Sequence, residues 1–122
     1  METIEHNKLV RDRILEIVEQ TGDTYEAVTI ENDNDFRLAL LEKLLEEAAE
    51  LTMATTREEF LAEYADLMVV LDVLTGQYDF SEAEVKLAIE TNVEQKGLFE
   101  KRVWLQSTTQ PTAEGEDLSD EV

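Results

Sequence analysis

Residues 59–74 read EFLAEYADLMVVLDVL, and this stretch decides how the chain folds. Wound at about 100° per residue, Phe60, Leu61, Tyr64, Leu67, Met68, Val69, Val70, Leu71, Val73 and Leu74 nearly encircle a helix axis. Glu63 falls close to Leu67, Val70 and Leu74, and Asp66 lies between Val70 and Val73. Carboxylates among apolar neighbours are costly unless a cation or a bound metal pairs with them. The stretch therefore predicts a packed helix with a built-in need for positive charge.

The flanking sequence continues the helical pattern. A helix is expected from about Asp33–Asp35 to Met53; the one containing 59–74 follows the turn-like Thr55-Thr56 and ends near Gly76. An earlier helix is expected from Leu9 to Thr21, with Leu9, Val10, Ile14, Ile17 and Val18 on one side and Gly22 as its stop. Ser81 and Glu84 have capping-box spacing for a further helix that stops at Gly97. TYEAVTI (24–30) alternates and is β-branched, which predicts a short extended segment. A second is expected at FEKRVWL (99–105), packing back through Phe99, Val103 and Trp104. Together these readings predict an all-α fold, a bundle of four to five helices.

Composition narrows the class. With 122 residues, 43% of them hydrophobic, the chain suits one domain with a real core, and one Pro and four Gly favour helices. Cysteine is absent, which excludes disulfides and thiolate metal sites. No apolar run is long enough to cross a bilayer and residues 1–7 do not read as a signal peptide, so no membrane role and a cytoplasmic location are expected. The net charge is −20. Residues 107–122 hold five acids and no base; they are expected to be a disordered acidic tail, leaving 1–106 as the folded domain. That domain still carries 25 acids against 10 bases, a surface that repels nucleic-acid backbones.

The acids also have a pattern. Glu47 and Glu50 are three apart in KLLEEAAEL (43–51), and Glu63 and Asp66 are three apart in EYAD. The 12 residues between Glu50 and Glu63 suffice to end one helix, turn and begin an antiparallel partner. Four carboxylates would then face one cleft, where like charges require divalent cations, and all-oxygen ligation selects Mg²⁺, Mn²⁺ or Ca²⁺. Taken alone, Glu46, Glu47 and Glu50 read as a solvated face. Glu63 and Asp66 do not, because their side of the helix is apolar.

The pair of pairs, Glu47-Ala48-Ala49-Glu50 and Glu63-Tyr64-Ala65-Asp66, resembles the all-α NTP pyrophosphatase superfamily, with its MazG-like, dimeric dUTPase and phosphoribosyl-ATP pyrophosphohydrolase branches. NKLVRDRILEIVE (7–19) looks like NKLVRDKIPEII, the opening of the phosphoribosyl-ATP pyrophosphohydrolase-like branch, and KGLFEKRVWL (96–105) is similar to its closing KGGFxKRIxL. The three motifs occur in the right order and span residues 6–105. Departures are Arg13 for the usual Lys, Leu15 for a common proline, Leu98 for the second glycine of KGG, and Ala62 where a second Glu often stands.

The resemblance implies a bundle of that type and a Mg²⁺-dependent enzyme, with Mn²⁺ as a substitute ion. Glu47, Glu50, Glu63 and Asp66 would hold the metal against a nucleoside triphosphate, and water would split the α–β anhydride to give a monophosphate and pyrophosphate. Glu46, beside the cluster, is the candidate general base, with a solvated glutamate as its other reading. Lys8, Arg11 and Arg13 form one candidate phosphate-binding group and Lys96, Lys101 and Arg102 another; surface ion pairs are the alternative. Asn92, four residues before Lys96, joins the second group or is a helix-surface amide. The sole histidine, His6, reads as incidental, which also makes a ferritin-like di-iron bundle a poor fit. The family implies a homodimer or homotetramer, and the apolar circumference of 59–74 in so small a domain favours burial against a partner chain. General nucleotide clean-up ranks above phosphoribosyl-ATP hydrolysis in histidine synthesis, and a non-catalytic acidic module that binds a basic partner stays open. No residue reads a particular base or sugar.

Overall fold

Three of the four helices start where a side chain can take up a free backbone N–H. The computed structural model describes residues 2–111. Its helices are α1 (Ile14–Gln20), α2 (Asp33–Thr52), α3 (Arg57–Gln77) and α4 (Glu82–Lys96). At α2, the Asn32 side chain accepts the Asp35 N–H at 3.0 Å, and Asp33 and Asp35 sit at the positive end of the helix. At α3, Thr56 Oγ1 accepts the Glu59 N–H at 3.1 Å while the Glu59 carboxylate accepts the Thr55 N–H at 2.9 Å. At α4, Ser81 Oγ accepts the Glu84 N–H at 3.1 Å, and Gly97 ends the helix with φ 77°.

Helix α1 is shorter than its pattern suggests, beginning at Ile14 rather than Leu9. Arg13 occupies the cap position and makes no side-chain cap bond, so nothing local anchors an earlier turn. The residues ahead of it are held by other means. Leu9 packs against the core, Lys8 reaches α2 and Arg11 reaches α3. Gly22, with φ 86°, follows the helix as expected.

The core lies between α2 and α3, joined by the four residues 53–56 into a helical hairpin. Leu40, Val70 and Leu74 are buried there, with Leu9, Phe36 and Leu44 packed around them. Much apolar surface stays outside this small core, including Leu38, Leu41 and Leu45 on α2 and Leu61, Tyr64 and Met68 on α3.

Among the described residues there is no β-strand, and residues 24–30 pair with nothing in a ladder. The alternation there lacks a neighbouring strand to supply hydrogen bonds. At 99–105 a turn forms, with the Arg102 N–H donating to the Phe99 carbonyl at 3.1 Å. Phe99, Val103 and Trp104 are exposed. The chain divides into two compact units, Met1–Val85 and Lys86–Val122, the division falling inside α4. Residues 107–111 carry no regular structure, and the rest of the expected acidic tail lies outside the described residues. No described helix is long and apolar enough to cross a membrane.

Candidate metal centre

The hairpin brings Glu47 and Glu50 of α2 against Glu63 of α3. One carboxylate oxygen from each lies within 4.8 Å of the other two. Opposite oxygen ligands of a hard divalent cation stand about 4–5 Å apart, so the three acids fit one such ion. Glu50 is exposed, Glu63 half-buried, and Glu47 only 6% exposed. Oε2 of Glu47 and Oε2 of Glu63 are both buried and accept no hydrogen bond. Buried acceptors are normally satisfied, and a cation is the partner that an orphaned carboxylate oxygen calls for. The donor set therefore suits a hard cation, and it does so on geometry and burial together.

Two lysines balance the buried end of the site. Lys43, one turn before the acids on α2, places Nζ 3.3 Å from Glu47 Oε1 and 3.4 Å from Glu46 Oε2, with its side chain 13% exposed. Lys8 Nζ lies 3.2 Å from Glu46 Oε1. Burial pushes the Glu46 carboxyl up, but the hydrogen bonds and charges of Lys8 and Lys43 outweigh it and hold the group below its ordinary value. With both oxygens engaged and its proton affinity lowered, Glu46 serves in this arrangement as the acceptor that joins two lysines. Glu47 goes the other way. Burial raises its carboxyl, Lys43 opposes this, and the charges of Glu50 and Asp66 raise it further.

Asp66 stands apart from the three-acid group. Its carboxylate is half exposed and lies 3.7 Å from Arg11 Nη1, an ion pair between α3 and the N-terminal segment. Lys8 and Arg11 thus attach one short stretch of chain to both helices beside the acids. Arg13 does not join them: it pairs with Glu16 on α1 at 3.1 Å, in the open. Asn92, Lys96, Lys101 and Arg102 all belong to the second compact unit and are exposed.

Lys43 was not among the residues singled out from the sequence. Its signal was nevertheless present in KLLEE, where Lys43 precedes Glu46 and Glu47 by three and four positions, the spacing of helix-face neighbours. No family model matches the chain, no curated protein matches it, and no solved structure matches it.

Proposed function

We propose that the chain is a Mg²⁺-dependent nucleoside triphosphate pyrophosphohydrolase of nucleotide clean-up. It would cleave the α–β anhydride of an NTP or dNTP to a monophosphate and pyrophosphate. The observation that carries this reading is the pair of buried, unpartnered carboxylate oxygens of Glu47 and Glu63 beside Glu50, with Lys8 and Arg11 attached alongside. The motif order that resembles the all-α NTP pyrophosphatases supplies the reaction. Glu47, Glu50 and Glu63 would hold the metal, and Asp66 would complete the set. Mg²⁺ or Mn²⁺, when bound, neutralises phosphate charge and polarises the phosphorus centre. Lys8 and Arg11, whose acidic partners border the cluster, take phosphate oxygens in this reading. Glu46 takes up the role of general base only on releasing a lysine.

The same reading includes self-association, in a cytoplasmic protein. Leu38, Leu41 and Leu45 on α2, and Leu61, Tyr64 and Met68 on α3, are exposed at alternating spacings of three and four, as in a helix–helix seam. A second copy of the hairpin offers the matching surface, giving a homodimer or a homotetramer. The net charge of −20 favours one rival, an acidic module that binds a basic protein without turnover. Phosphoribosyl-ATP is the substrate alternative within the enzyme reading.

The test is a panel of canonical and modified NTPs and dNTPs, with phosphoribosyl-ATP, incubated with protein and Mg²⁺ and resolved by chromatography. A monophosphate and pyrophosphate in equal amounts are expected from at least one triphosphate. No turnover of any member with Mg²⁺ or Mn²⁺ overturns the enzyme reading in favour of the binding module. Turnover of phosphoribosyl-ATP alone shifts the substrate.

A further inference from the structure

We propose that Lys43 is the positioning residue of the acidic centre: it grips Glu47 through Oε1 and leaves Oε2 as the oxygen offered to a divalent cation. The inference rests on the metal-centre reading above and goes beyond it in assigning a role to a residue outside the acidic motifs. Lys43 Nζ bridges Glu47 Oε1 at 3.3 Å and Glu46 Oε2 at 3.4 Å, and little of its side chain is exposed. On Glu47 the second oxygen, Oε2, is buried and unbonded. A carboxylate held at one oxygen by a part-buried ammonium group has fewer orientations left for the other oxygen. Outer-shell partners of metal ligands act in this way, orienting the ligand before the ion arrives.

Lys43 itself is held from the far side. Glu46 accepts from it, and Glu46 in turn is fixed by Lys8 at 3.2 Å. The chain Lys8–Glu46–Lys43–Glu47 therefore runs from the N-terminal segment to the buried acid. The positive charge of Lys43 also offsets that of Glu47.

The sign of one effect separates this role from that of a bystander charge. A positive charge beside a cation site repels the ion, so deleting a bystander lysine tightens metal binding. Deleting a positioning lysine weakens it. We would titrate metal-free protein with Mn²⁺ by calorimetry, comparing wild type, Lys43→Met and Lys43→Gln, with circular dichroism confirming that each is folded. Lys43→Met is expected to bind Mn²⁺ about 10–100-fold more weakly than wild type. Lys43→Gln, which sheds the charge but keeps an N–H donor, is expected to fall between the two, and it carries the test alone if Lys43→Met does not fold. Mn²⁺ binding by either folded variant as tight as in wild type, or tighter, overturns the role of Lys43 and leaves the metal centre standing. No Mn²⁺ binding by wild type overturns both.

Discussion

At Glu47 a carboxylate is kept where water scarcely reaches it, and its titration should report this. Burial, with the charges of Glu50 and Asp66, outweighs Lys43 and holds the group above its ordinary value. The folded protein therefore keeps that proton to higher pH than the unfolded chain, and metal-free stability falls as pH rises from about 4.5 through the raised value. Glu46 and Glu59 act in the opposite sense. Glu46 is held low by Lys8 and Lys43 against its burial, and Glu59 by the backbone N–H and hydroxyl of Thr55, so their contributions are lost as pH falls through the lowered values. Melts in EDTA across that range should show a shallower decline on the alkaline side for Glu47→Gln than for wild type; equal slopes would contradict the assignment. Asp66 makes a second test at this scale. Its ion pair with Arg11 is half exposed and 3.7 Å long, so Asp66→Asn should change apo stability by no more than about 1 kcal/mol. If Asp66 is the fourth ligand, the same change should lower Mg²⁺-dependent turnover by at least about 100-fold. Unchanged turnover would remove it from the set.

The hairpin of α2 and α3 is the element that makes the site, since it alone brings Glu47 and Glu50 to Glu63. Leu74 is buried in its seam, and Leu74→Ala should destabilise the fold by about 2–5 kcal/mol in denaturant titration. Thr56→Ala, which removes the α3 cap, should cost about 1 kcal/mol. Most of the bounds of α2, α3 and α4 were legible in the sequence, because their determinants are local. Thr56 and Glu59, Ser81 and Glu84, and Gly97 each act within a few residues of where they stand. Of what depended on distant partners, the approach of Glu47 and Glu50 to Glu63 was legible, and the rest was not. The start of α1 is settled by Leu9, Lys8 and Arg11 binding to the hairpin, not by a cap. Asp66 was read with Glu63 because they share a helix face, yet its partner Arg11 lies 55 positions earlier in the chain. Lys43 was passed over because lysine in a helix is ordinarily a solvated residue, and its burial emerges only from packing.

At the scale of the whole molecule, the imbalance lies between a three-residue buried apolar core among the described residues and long apolar stripes left outside it. Such stripes on a folded chain are what the proposed self-association would cover. Light scattering at micromolar concentration in physiological salt should therefore give a dimer mass or larger. Leu45→Lys combined with Leu61→Lys should shift it to the monomer, and a wild-type monomer would refute the association. Salt matters here, because a net charge of −20 on each copy opposes assembly until it is screened. The central claim, that Glu47, Glu50 and Glu63 form a divalent-cation centre, is tested most directly by thermal melts of wild type and Glu63→Gln in EDTA and across a Mg²⁺ series. Wild type should melt higher with each rise in Mg²⁺, as an ion bound only by the folded state requires. Glu63→Gln, freed of a half-buried carboxylate with one buried, unbonded oxygen, should melt at or above wild type in EDTA and gain little from Mg²⁺. A wild type that Mg²⁺ does not stabilise, or a Glu63→Gln protein that Mg²⁺ stabilises as much as wild type, would contradict the account.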